Sequence, residues 1–198
     1  MTGLLRSVLS DLAAMLVLGS AACGMSGPPP VEYVLGAAPT ATTATSQVTE
    51  LPVLQVMTVR LPDYLDTADL LVRNGNQLTP SKSGRWGERL SAGMTRALAS
   101  DLAARLPTMV VTTTTPVKSP ERRLLVDVSA FEARPDRQVV LAARWTIADG
   151  GGRTALVSEQ AVLAEPVVAM GDDGVVTAMT KAVDTFASRI AAQNQLAR

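Results

Sequence analysis

Gln138-Val139-Val140-Leu141-Ala142-Ala143-Arg144-Trp145-Thr146-Ile147-Ala148 decides the architecture. Val139, Leu141, Ala143, Trp145 and Ile147 fall on one side of an extended chain and Arg144 and Thr146 on the other, the alternation of a strand in a sheet with one wet face. Two earlier stretches, Met109 to Thr114 and Arg123 to Ala133, repeat the period of two. After it, Asp149-Gly150-Gly151-Gly152 supplies residues that tolerate positive φ, so a tight hairpin leads into another extended run, Thr154 to Leu163.

Towards the N-terminus the pattern is more broken. Val31 to Leu35 reads as a short strand, and Ala37 to Thr49, rich in Ala and Thr without a period, as a mobile loop. Leu51 to Arg60 reads as a second strand, ended by Pro62, which cannot donate to a ladder. Leu70-Leu71-Val72-Arg73 is a strand candidate, and Asn74-Gly75 is a two-residue hairpin signal into Gln77-Leu78-Thr79.

Two segments change to a helical period. Trp86, Leu90, Met94, Ala97, Leu98, Leu102 and Leu106 recur at three and four, which predicts a helix from Gly84 or Arg85 to Arg105, stopped by Pro107. Val176, Met179, Val183, Phe186 and Ile190 predict a closing helix from Asp173 to Gln193, with Asp172 or Asp173 as its N-cap. Two amphipathic helices and a sheet with one apolar face have one economical solution, both helices on that face. The expected class is α+β, two-layered, with a largely antiparallel sheet.

The leader sets the compartment. A short charged start with Arg6 precedes the apolar run Leu12-Ala13-Ala14-Met15-Leu16-Val17-Leu18, then Gly19-Ser20-Ala21-Ala22 and Cys23, the single cysteine of the 198 residues. That is the layout of a bacterial lipoprotein signal, too short for a permanent membrane span. Residues 1–22 would be removed and Cys23 would carry covalent lipid, enough chains for stable attachment. Leu18 and Ser20 depart from the usual order, in which Leu stands three residues before the cysteine, and Asp11 is unusual within a leader. Ser20 and Ala22 also fit the ordinary secretory peptidase, which would release a soluble chain. Gly24 follows the cysteine, as in lipoproteins sorted to the outer membrane. Residues 23–30, with Pro28-Pro29-Pro30, read as a stiff tether, and residues 31–198 as one domain.

Composition narrows the function. Eighteen Lys and Arg balance eighteen Asp and Glu, so there is no basic footprint for nucleic acid. Histidine is absent, which removes the commonest general base and metal ligand and every Ser-His or Cys-His arrangement. The lone thiol is assigned to the lipid, so no disulfide forms. Thr79-Pro80-Ser81-Lys82 puts Thr where a Ser-x-x-Lys dyad needs Ser. Gly171-Asp172-Asp173-Gly174 lacks the alternating acids and distant Glu of a calcium loop, and no phosphate loop is present. The expectation is a non-enzyme with no cofactor and no metal.

Leu61-Pro62-Asp63-Tyr64-Leu65-Asp66, then Leu70-Leu71-Val72-Arg73, then Arg85-Trp86-Gly87-Glu88-Arg89-Leu90 running into Ala97-Leu98-Ala99-Ser100-Asp101-Leu102, together resemble the ABC-type transport auxiliary lipoprotein family, also called PqiC-like. Arg89 stands where members commonly have Pro. The resemblance implies an outer-membrane lipoprotein facing the periplasm, a partner of an MCE-domain protein and an ABC transporter in moving lipid between membranes; a homo-oligomer is left open. The alternative is an envelope scaffold or assembly lipoprotein that binds protein only. Pro62, Tyr64, Arg85 and Trp86 are the candidate partner-binding residues. Trp86 has a second reading, as core beside Leu90 and Met94, and Arg85 and Glu88 are placed to pair on the helix surface.

Overall fold

In a computed structural model that describes residues 28–38 and 51–193, ten elements follow in chain order. They are β1 (Val31–Tyr33), β2 (Val53–Val56), β3 (Asp69–Asn74), β4 (Gln77–Trp86), α1 (Leu90–Arg105), β5 (Val110–Thr112), β6 (Arg122–Ala133), β7 (Gln138–Asp149), β8 (Ala155–Pro166) and α2 (Gly171–Ala191). The leader, Cys23 and nearly all of the Ala37 to Thr49 loop lie outside the described residues.

The alternating stretches become the long ladders. β6 pairs antiparallel with β7 from Arg122↔Asp149 to Ala133↔Val139, and β7 pairs antiparallel with β8. The other edge of β6 is shared. β2 runs parallel to its first part and β3 touches its far end at Val72↔Ala133. The sheet forks there, with β5 beside β2 and the β3–β4 hairpin carrying β1. The long ladders are antiparallel and the short ones, β1 with β4, β2 with β5 and β2 and β3 with β6, are parallel, so the eight-stranded sheet is mixed. Short parallel contacts between segments far apart in sequence leave no local signature.

One face of this sheet is dry. Leu124, Val126, Val128, Phe131 and Ala133 of β6 join Val139, Leu141, Ala143, Trp145 and Ile147 of β7 in a single core with both helices. A bulge at Ser129 switches the parity of β6 between Val128 and Phe131 and keeps both buried. Phe186 of α2 meets Trp145 edge-on, with ring centroids 5.3 Å apart.

The first helix begins later than its periodicity predicts. Gly84, Arg85 and Trp86 belong to β4, paired with Val31, Glu32 and Tyr33 of β1, and the helix opens at Leu90. Trp86 lies four residues before Leu90 and so imitates helical spacing, yet Gly84 and Trp86 point inward from a strand while Arg85 points out. The second helix is capped differently from expectation. Met170 is its N-cap, with no side-chain bond, and Asp172 and Asp173 stand inside the first turn.

Candidate partner-binding surface

The Pro62 to Asp66 turn lies at the fork. The Pro62 carbonyl accepts from the N–H groups of Leu65 and Asp66, and Leu65 is buried beneath the turn. Tyr64 is thereby left 36% exposed, with the Arg73 guanidinium 5.2 Å from its ring centroid and its hydroxyl donating to the Ser129 carbonyl at the bulge. Arg73 also pairs with Glu132, whose side chain is 2% exposed and whose Oε2 has no hydrogen-bond partner. Arg60 pairs with Asp127 nearby at 2.7 Å.

Asp66 performs a task that spacing does not reveal. α1 has Arg89 as N-cap without a side-chain bond and has no acid in its first turn. Asp66 Oδ1 accepts from the Ser91 N–H at 3.0 Å and Oδ2 lies 3.4 Å from Arg89 Nε, so the turn supplies the helix with its missing acceptor. Burial pushes the Asp66 carboxyl up, but hydrogen bonds from Ser91 and the charge of Arg89 outweigh it and hold the group below its ordinary value.

Arg85 is exposed and pairs with Glu32 of β1, while Glu88 pairs with Arg96 in the second turn of α1. The expected Arg85 and Glu88 pair is therefore replaced by two others, because Arg85 is on a strand. Trp86, 3% exposed, is in the core, with its N–H bonded to the Ala68 carbonyl. Of the four candidates, Pro62 and Tyr64 share one turn, Arg85 reaches solvent from β4, and Trp86 is enclosed behind it.

The wet face was expected from Arg144 and Thr146, but sequence reasoning missed the trough on it beside Tyr64. A shallow trough of about 570 Å³ crosses β6, β7 and β8 at the bulge, between Asp127, Ser129, Ala142, Arg144, Gln160 and Val162. The cross-strand pairs Asp127↔Arg144 and Arg144↔Gln160 give it a polar row, and Ala142↔Val162 an apolar one. The signal was available in the outward residues of the strands, but only the register aligns them. Among the described residues no three acids lie close enough to hold a metal ion, and no helix is long and apolar enough to cross a membrane.

The family model for the ABC-type transport auxiliary lipoprotein component matches residues 33–191. The chain belongs to that family. The match includes the fork, the trough and both helices, and the family's description gives the domain an accessory role in transport. Among solved structures, one of an uncharacterized protein is 24% identical, covers 71% of this chain and 90% of its own, and superposes with a TM-score of 0.65. A Xanthomonas campestris protein of family DUF330 is 14% identical, covers 82% of this chain and 90% of its own, with a TM-score of 0.61. At these identities they establish a shared fold for the auxiliary lipoprotein domain. No curated protein sequence is significantly similar to it.

Proposed function

We propose that this chain is a non-catalytic, lipid-anchored accessory subunit of an MCE and ABC-type system that carries lipid between the two membranes of a Gram-negative envelope. The family match over residues 33–191 carries the reading. The leader ending at Cys23 supports it, since acylation would hold the domain on the outer membrane, facing the periplasm, at high effective concentration for a periplasmic partner. The domain would act by contact, through the exposed Tyr64 and Arg85 with Pro62 fixing the turn, and Trp86 would support Arg85 from within the core.

Capture of an MCE-domain protein by the full-length chain tests this. Tyr64→Ala combined with Arg85→Glu should abolish capture while the melting temperature stays near that of the parent. Undiminished capture would remove these residues from the interface, and no capture by the parent would count against the MCE partner itself.

A further inference from the structure

Ladder register brings several distant segments to one end of the sheet. β3 and β4 turn there through Asn74 to Gln77, β6 and β7 turn there through Arg134 to Arg137, and β8 ends there at Pro166, opposite Gln138. The segment from Val167 to Met170 then crosses to α2. It is pinned rather than loose, because Arg137, held at a φ of 60°, accepts the Val167 N–H on its carbonyl and donates from its guanidinium to the Val167 and Val168 carbonyls.

The pinned segment carries its apolar side chains outward. Val168 is 84% exposed and Met170 81%, although Val167 between Pro166 and Val168 is buried. Arg134, Arg137 and Lys82 are exposed around the same end. Of the nearby acids, Asp172 is engaged by the Ser81 and Ser83 hydroxyls and Asp173 by Tyr33, while Asp136, between Arg134 and Arg137, is exposed and leaves the three cations in excess.

The chain also enters the domain here. β1 is parallel to β4, so the chain arrives from the side of Val31, whose partner is Gly84; a methyl group on Gly84 would lie 2.6 Å from Asp172 in the first turn of α2. Cys23 is five residues before Pro28, a reach of at most about 17 Å for a fully extended chain. A lipid on Cys23 therefore holds this end of the sheet close to the bilayer. We propose that this end is a membrane-docking surface on which Val168 and Met170 enter the interfacial region of the bilayer while Arg134, Arg137 and Lys82 meet anionic headgroups. The opposite end, with the Asp149 to Arg153 hairpin, is directed into the periplasm, about 40 Å away along the twelve-residue β6.

The inference rests on acylation of Cys23, and the test separates the two. Full-length chain is purified from membranes as Val168→Cys, Met170→Cys and, as a distant control, Val117→Cys. The introduced thiol is the only one open to an environment-sensitive maleimide dye if Cys23 is acylated. In vesicles of phosphatidylethanolamine with phosphatidylglycerol, dyes at 168 and 170 should shift to the blue and lose quenching by aqueous iodide, while the dye at 117 stays quenched. Flotation with the vesicles but full quenching at all three positions would overturn the docking surface and leave the anchor standing. A chain that does not float and labels at Cys23 would overturn the anchor and the docking surface with it. A circular-dichroism melt matching the parent establishes that each variant is folded.

Discussion

The two helices lie side by side on one apolar face but are held at their starts in opposite ways. α2 has its own acids, Asp172 and Asp173, in its first turn, where they face the positive end of the helix and receive hydroxyls from Ser81, Ser83 and Tyr33. α1 has none, and takes its acceptor from Asp66 in the turn after β2. The difference gives the Leu61 to Asp66 motif a division of labour. Pro62, Leu65 and Asp66 build the fork and start α1, while Asp63 and Tyr64 are the members turned towards solvent.

Removing the core contacts of either helix should have the largest effect. Phe186→Ala would delete the ring that meets Trp145, and Trp86→Ala the side chain beneath the entry to α1; each should cost about 3–5 kcal/mol in urea unfolding. A loss below 1 kcal/mol at Trp86 would mean that the start of α1 rests on Asp66 alone. Asp66→Ala should cost about 0.5–2 kcal/mol, as lost caps do, and should speed amide exchange at Ser91 to Met94 without changing α2. Equal acceleration in both helices would show that they do not start independently.

Acid sharpens the same contrast. Because the folded Asp66 carboxyl has a lowered pKa, its contribution is complete above the unfolded value of about 3.9 and is lost as pH falls through the lower folded one. The acid branch of the stability curve should therefore flatten in Asp66→Asn. An unchanged branch would place the acid sensitivity elsewhere. The smallest effect belongs to Tyr33→Phe, which removes one exposed hydrogen bond to Asp173 and should leave the urea midpoint close to that of the parent. A loss comparable to that of Asp66→Ala would put both helix starts on the same footing.

The helices and strands that package their own pattern were legible. Residues 138–148 announced both the sheet and its dry face, and Asn74-Gly75 its hairpin. Where the sequence misled, the determining contact was remote. Trp86 stood at helical spacing from Leu90 and Met94, and it is remote pairing, with β1 on one side and Asp69 of β3 on the other, that makes Gly84 to Trp86 a strand. Asp66 is twenty-five residues from the N–H it accepts. The trough beside Tyr64 and the gathering of Arg137, Val168 and Met170 at one end of the sheet both depend on register across β6, β7 and β8, which no single segment encodes. The family strings were readable because they sit in one stretch, and their physical roles were not because each residue acts on a different element.

The anchoring and the membrane docking proposed for this protein begin with what residue 23 carries. Intact-mass measurement of the mature chain extracted from membranes should find residues 1–22 removed and Cys23 bearing a diacylglyceryl group with a further acyl chain on its amine. A mature chain beginning at Cys23 with a free thiol, recovered in the soluble fraction, would contradict the account.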